Sequence, residues 1–347
     1  MAQAYTADTG NGATRTRPTG PLAGRLRRLS ARWRGDRGIW RRGIVLALCA
    51  VLVALLMALH ARIPNRIGNL GSLTETFLPW FGVFVPLIGV GAVLRRSATA
   101  LIAVLLPLVV WLNLFGGLLT GKSAAADAES GDLTVATHNV NAQNPDPAGT
   151  ARDVAASGAD VLALQELPIG QVGTYEQALA GTYPYHAVEG TVGLWSRYPL
   201  TGTTPVDIGM GWIRAMRATV RAPGGDVAVY VAHMPSVRVK LEAGFTANQR
   251  DNSADALGEA IARERMDRVV LLGDLNGTMN DRSLNAVTSQ MRSTQGAAGD
   301  GFGFSWPAAF PMARIDQIMV RGVEPVSSWT LPRTNSDHLP IAASVDL

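Results

Sequence analysis

Val269-Val270-Leu271-Leu272-Gly273-Asp274-Leu275-Asn276 decides the fold. Four consecutive aliphatic residues with no polar face read as a strand buried on both sides, and therefore as a central strand. The Gly-Asp-x-Asn that follows closes the strand and leaves a carboxylate and an amide at its C-terminal end, where α/β sheets gather their ligands. Near the end of the chain, Ser336-Asp337-His338-Leu339-Pro340 opens a last apolar segment with an Asp-His pair.

Working outward, the pattern from Leu133 onward alternates between strand and helix. Strands are expected at 133–138, 161–165, 192–196, 213–221, 226–233, 268–273, 315–320 and 339–345, and helices at 148–157, 170–179, 247–265 and 282–290. The expectation is an α/β sandwich over residues 133–347. Four more polar signals fall at strand ends: Thr137-His138-Asn139-Val140-Asn141, Leu164-Gln165-Glu166, Ala232-His233-Met234-Pro235 and Arg314-Ile315-Asp316. Each is weak alone. Together they point to metal-assisted cleavage of a phosphate ester or anhydride.

Asn139, Asn141, Glu166 and Asp274 all follow apolar strands. Oxygen ligands of this kind suit Mg²⁺ or Mn²⁺ and not Zn²⁺. Glu166 is the anionic metal ligand in this reading; its bland alternative is an exposed strand-end charge. His233 and His338 lie at strand ends, and Asp316 is the natural partner of His338. His138 precedes its asparagine and reads as a core histidine. Asp274 and Asn276 share one side of an extended segment, so Asp274 can activate water while Asn276 donates to phosphate. The same Gly-Asp-x-Asn-Gly is also good turn chemistry. A serine-nucleophile elbow, a P-loop and a Cys/His zinc spacing are all missing from the sequence, which favours direct attack by water.

The first third is different in kind. Three apolar runs, Gly43 to Ala61, Thr76 to Leu94 and Ala98 to Leu119, read as three transmembrane helices over residues 43–120. Residues 1–43 hold ten arginines against Asp8 and Asp36, which predicts a disordered cytoplasmic tail over 1–42 and everything after Leu119 outside the cell. Residues 121–132 read as a tether. From Ser123 onward there are sixteen basic and twenty-four acidic residues, so the catalytic region carries about −8 although the whole chain is +4. The single cysteine, Cys49, excludes an internal disulfide.

The motifs Asn139-Val140-Asn141, Gln165-Glu166, Leu194-Trp195-Ser196-Arg197-Tyr198-Pro199, His233, Gly273-Asp274-Leu275-Asn276, Arg314-Ile315-Asp316 and Ser336-Asp337-His338 resemble those of the endonuclease/exonuclease/phosphatase superfamily. The resemblance implies a four-layer, DNase-I-like α/β sandwich with a Mg²⁺ site. It implies Glu166 as metal ligand, helped by Asn139 or Asn141, with Asp337 on the metal side. It implies Asp274 as the water-activating carboxylate, Asn276, His233 and His338 on the phosphate, and Asp316 orienting His338. Many nucleases of the group carry Asp where this chain has Asn141, so this site is less anionic. The layout, three spans followed by this domain, is also similar to that of VanJ-type actinobacterial membrane proteins associated with teicoplanin resistance. That similarity implies a cell-envelope lipid phosphate or diphosphate as substrate, undecaprenyl diphosphate among them.

Three functions follow. The first is a multi-pass envelope phosphatase or phosphodiesterase acting on a lipid of the bilayer that anchors it, a phospholipid or sphingomyelin included. Phe302, Phe304, Trp306, Phe310 and Met312 would form an acyl- or prenyl-facing lip, or else pack as ordinary core. The second is a surface nuclease, disfavoured because nucleic acid needs several cationic contacts at once. Only a cluster of Arg214, Arg217, Arg221 and Arg238 would supply them. The third is a non-catalytic binding module.

Overall fold

The computed structural model describes residues 38–39, 42–65, 69–120, 131–236 and 244–347. The expected arginine-rich tail, Arg238 and most of the 121–132 tether lie outside these.

The C-terminal region is built on two six-stranded mixed sheets. The first has the order β11 (Glu324–Thr330), β12 (Ile341–Asp346), β1 (Leu133–Asn139), β2 (Val161–Gln165), β4 (Val192–Ser196), β3 (Tyr185–Glu189), and the second β5 (Leu200–Pro205), β6 (Ala215–Ala222), β7 (Gly225–His233), β8 (Val269–Asp274), β10 (Asp316–Arg321), β9 (Arg292–Ser293). In the first, β1 (Leu133–Asn139) runs parallel to β2 (Val161–Gln165). β12 (Ile341–Asp346) and β4 (Val192–Ser196) flank this pair antiparallel. In the second, β7 (Gly225–His233) runs parallel to β8 (Val269–Asp274). β6 (Ala215–Ala222) and β10 (Asp316–Arg321) flank it antiparallel.

Side-chain alternation explains the layers. Val270 and Leu272 of β8 face Val161 and Ala163 of β2 within one core between the sheets. Val269 and Leu271 point the other way, onto Ala254, Leu257 and Ile261 of the helix Gly244–Ala262. Leu162 and Leu164 likewise pack on Ala151 and Val154 of Pro147–Ala155 and on Tyr175 and Leu179 of Val172–Leu179. The result is helix, sheet, sheet, helix, a DNase-I-like α/β sandwich. Gly273 is needed where β8 closes on β7, because a Cβ there would overlap the Ala232 carbonyl oxygen.

Four strands escape the apolar pattern: β3 (Tyr185–Glu189), β5 (Leu200–Pro205), β9 (Arg292–Ser293) and β11 (Glu324–Thr330). All four are sheet edges. The expected helix at 282–290 is a 3₁₀ turn, Arg282–Leu284, followed by the short helix Asn285–Thr288.

Of the three apolar runs, only Ala98–Leu119 forms a helix long and apolar enough to cross a bilayer, 22 residues with mean hydropathy 2.3. It is built of Ala98–Ala103 and Leu105–Leu119. The first run forms Ile44–Ala58, 15 residues, short of the roughly 20 a straight span needs. The second forms Leu78–Leu94, which meets the preceding helix Leu70–Thr76 at a 68° bend. These helices show leucines and valines outward, with Leu48, Leu87, Val90 and Val109 all about 60% exposed, the reverse of a soluble helix pair.

The helices also sit on the sandwich. Trp80 Nε1 donates to Met312 O at 2.8 Å and its ring stacks on Phe304, while Phe302 meets Phe115 edge-on. Thr278 Oγ1 donates to Glu75 O, and Arg250 Nη2 to Ser72 Oγ at 3.0 Å. Phe302 and Phe304, expected as an open lip, are therefore largely the seat of these helices. Phe310 remains 64% exposed.

Candidate active site

The parallel pairs of the two sheets bring their C-terminal ends to one edge. β1 ends at Asn139 opposite Gln165, and β7 ends at His233 opposite Asp274. β10 begins antiparallel to β8 with Asp316 opposite Asp274. Strand order alone thus collects Asn139, Glu166, His233, Asp274 and Asp316. The chain then turns sharply. Asn141, Glu166 and Asn276 have φ of 63°, 60° and 47°. Left-handed backbone costs about 1–2 kcal/mol at a residue bearing a Cβ, and such strain gathers at functional sites.

Asn139 Nδ2 donates to Glu166 Oε1 and to Asp274 Oδ2, both at 3.0 Å, and so ties the two sheets together. Glu166 Oε2 accepts from Ala142 N. Asp274 Oδ1 accepts from Asn276 N at 2.9 Å. His233 Nε2 lies 3.5 Å from Glu166 Oε1 and 3.7 Å from Asp274 Oδ2, and His338 Nε2 lies 3.9 Å from Asp274 Oδ2. Asp274 is almost wholly buried. Burial, with Asp316 nearby, outweighs His338 and the donors around it and pushes its pKa up to about 7.

Behind His338 stands Asp316, 2.9 Å from Nδ1. Ser305 Oγ donates to the same Asp316 oxygen at 2.6 Å. Burial opposes a charged ring, yet Asp316 and Asp274 outweigh it and raise His338 to about 10. His233 is the opposite case. Burial, then Arg214 and His338, hold its pKa well below the ordinary value, so the ring is neutral. Arg214 Nη2 packs against the His233 ring, 2.6 Å from both ring nitrogens. His138, expected as a core residue, is fully buried, touches Thr334 Oγ1 through Nε2, and is held neutral by burial with a pKa near 3.

All nine candidate residues lie around this edge, but two are engaged differently from expectation. Asn276 commits its amide to Met234 O and Asp274 Oδ2, so here it braces Asp274 and does not present a free donor. Asp337 accepts from Asn141 Nδ2 at 2.9 Å on the exposed rim. Three participants were given no role at this site by the sequence: Ser305, which carried no signal; Ser336, quoted only as part of the last motif; and Arg214, named only for nucleic acid. Ser336 Oγ donates to Asn139 O and receives His338 N, joining the last motif to the first.

The donors fit a hard divalent cation. Glu166 offers carboxylate oxygens with about a third of its side chain exposed, leaving space for the waters that Mg²⁺ retains. Asp274, Asp316 and His338 also bring ligand atoms within 4.8 Å of one another. That trio is closed by the His338–Asp316 hydrogen bond and is fully buried, so Glu166 is the better open site. Beside it lies a cleft of about 490 Å³ lined by Glu166, His233, Arg214, Ile169 and Trp212.

Residues 136–338 match the Endonuclease/Exonuclease/phosphatase family. No curated protein matches the chain. Among solved structures, a humanized D. rerio TDP2 carrying 14 mutations aligns over 62% of this chain and 99% of its own, with 19% identity and a TM-score of 0.53. The mannosyl-6-phosphatase Bt3783 of Bacteroides thetaiotaomicron aligns over 62% and 100%, with 18% identity and a TM-score of 0.52. A beta toxin of Staphylococcus aureus aligns over 61% and 99%, with 15% identity and a TM-score of 0.50. At these identities the likeness is one of fold. The family match covers more than half of the chain, which therefore belongs to the endonuclease/exonuclease/phosphatase family, a family of phosphoesterase hydrolases.

Proposed function

We propose that this protein is a membrane-anchored, Mg²⁺- or Mn²⁺-dependent phosphohydrolase that cleaves a phosphate ester or diphosphate of a cell-envelope lipid outside the cytoplasm. The observation that carries the chemistry is the Asn139 bridge between Glu166 and Asp274, with two histidines facing the same Asp274 oxygen. In this reading Glu166 holds the metal, with Asn139 and Asn141 beside it and Asp337 bracing Asn141. The bound metal supplies positive charge to the phosphoryl oxygens. Asp274, with a pKa near neutrality, takes the proton of the attacking water. His338, kept cationic by Asp316, stabilises negative charge developing on phosphate, and Arg214 adds positive charge beside His233.

Two features support a lipid substrate. The helix Ala98–Leu119 is apolar enough to anchor the domain at a bilayer. The cleft beside Glu166 carries Ile169 and Trp212, 86% and 57% exposed, as an apolar wall for a chain or prenyl group. A nuclease is less well served. Of the arginines that a nucleic acid would need, Arg214 is on His233 and Arg217 is on Glu264 at 2.9 Å.

The test is substrate cleavage by the full chain in nanodiscs, with and without Mg²⁺, read as phosphate from the diphosphate, the released head group from phospholipid and sphingomyelin, p-nitrophenol from the chromogenic diester and strand scission of the plasmid. The panel is undecaprenyl diphosphate, phospholipid, sphingomyelin, bis-p-nitrophenyl phosphate and plasmid DNA. Metal-dependent turnover greatest on a lipid is expected. Faster cleavage of plasmid than of any lipid would replace this reading with the nuclease.

A further inference from the structure

A second cavity, of about 280 Å³, lies between the apolar helices and the sandwich. Pro79, Leu114, Phe115 and Leu118 line it from the helices, and Phe302, Met279, Arg314 and Gln317 from the sandwich. Its residues are distinct from those of the cleft beside Glu166. Its size approaches the lower bound of small-ligand pockets, roughly 300 Å³.

Arg314 is the anomaly. It is 6% exposed. Nη1 donates to Gly303 O at 2.9 Å, but Nε and Nη2 have no partner among the described residues. The nearest carboxylate in sequence, Asp316, accepts from His338 and Ser305, and no described ion pair joins it to Arg314. Gln317 Oε1 and Gln295 Oε1, from the same wall, are also buried without a partner. A buried guanidinium with idle donors is costly to keep, and an anion relieves it with a charge-assisted pair. The facing wall is aliphatic and aromatic and belongs to helices whose other faces show leucine outward, so the natural ligand is polar at one end only.

We infer that this cavity binds a single-chain amphiphile with an anionic head, its phosphate or carboxylate on Arg314 and its chain along Leu114, Phe115, Leu118 and Phe302. The head would lie two residues from Asp316, on the segment that orients His338, and so next to the catalytic machinery without entering it. The site rests on its own geometry and stands whether or not the neighbouring cleft hydrolyses lipid.

The experiment uses the full chain in phosphatidylcholine nanodiscs with EDTA present, so that hydrolysis plays no part. A diazirine-bearing dodecyl phosphate is photo-crosslinked and the labelled peptides are mapped. Saturable labelling at 114–118 and 302–304 is expected, competed by dodecyl phosphate and not by dodecanol. Competition by laurate assigns the site to anionic heads generally; its failure assigns it to phosphate. Arg314→Met should lower saturable labelling at least tenfold, and Arg314→Lys should restore part of it. Leu118→Trp, which fills the cavity from the helix side, should also lower it and serves as the readout if Arg314→Met does not fold. Labelling that is unsaturable and spread along the outward faces at Leu48, Leu87 and Val109, or unchanged in folded Arg314→Met and in Leu118→Trp, overturns the site.

Discussion

Asp316 Oδ2 lies 2.9 Å from His338 Nδ1 in a pair sealed from solvent. A ring held this way keeps Nε2 aimed past Asp274 and stays protonated to about pH 10. The shift is upward, so the stability it contributes is complete below the ordinary histidine pKa, ~6.5, and is lost as pH rises toward 10. Asp316→Asn should move the His338 titration down toward ~6.5, followed by NMR of the ring protons in metal-free protein. Its turnover should fall less than that of His338→Ala, because Asp316 orients the ring and does not touch phosphate. A larger loss for Asp316→Asn, in folded protein, would place Asp316 on metal or substrate itself.

Glu166→Gln should remove metal-dependent turnover, lowering kcat by at least on the order of 10²-fold, with little change in Tm. The side chain is a third exposed and supports no core, which is why the fold should tolerate the change. Mn²⁺ binding followed by EPR gives a readout independent of activity: it should weaken in this variant and persist in His338→Ala.

Asp274→Asn tests the base. It keeps the size of the side chain but removes the proton acceptor and turns one accepting oxygen into an amide donor facing Asn139 or Asn276, so kcat should drop by on the order of 10²–10⁴. Metal affinity should change much less than in Glu166→Gln. Equal loss of metal in both would mean that Asp274 is itself a ligand.

Gly273→Ala should destabilise the sandwich. The added methyl would collide with the Ala232 carbonyl and separate β7 from β8, the pair that positions His233 and Asp274. Strain of this kind costs roughly 1–3 kcal/mol or more, and each kcal/mol lowers Tm by about 2–4 °C in a domain of this size. Calorimetry checks it, and an unchanged Tm would show that the strands part without penalty.

Trp80→Ala should loosen the helices from the sandwich while leaving the sheets intact. It removes the bond to Met312 O and the stack on Phe304. Amide exchange should quicken across 301–313 and not across β7 or β8. For topology, a C-terminal reporter at Leu347 should be active only outside the cytoplasm.

Central strands were legible because burial on both faces demands runs such as Val269-Val270-Leu271-Leu272. The strands missed, β3, β5, β9 and β11, are all edges, where one flank faces solvent and side chains are free to be polar. Periodicity cannot mark a strand that is held chiefly by backbone bonds to its neighbour. The three apolar runs were equally visible, but their shapes were not. Composition fixes hydropathy, whereas the 68° break between Leu70–Thr76 and Leu78–Leu94 accompanies docking contacts to residues more than 200 positions away.

By itself, then, the sequence determined the identities and strand-end positions of Asn139, Glu166, His233, Asp274, Asp316 and His338, since a strand's end is a local property of its pattern. Only the tertiary structure decided who touches whom. It put Arg214 on His233, Ser305 on Asp316, Ser336 on Asn139, and Asn276 behind Asp274 instead of in front of it. It also buried Arg314 with idle donors beside an apolar cavity. Such contacts arise where two sheets and a set of helices converge: Ser336 and Asn139 are 197 positions apart, and even for neighbours such as Asp274 and Asn276 the sequence does not say which way each side chain turns.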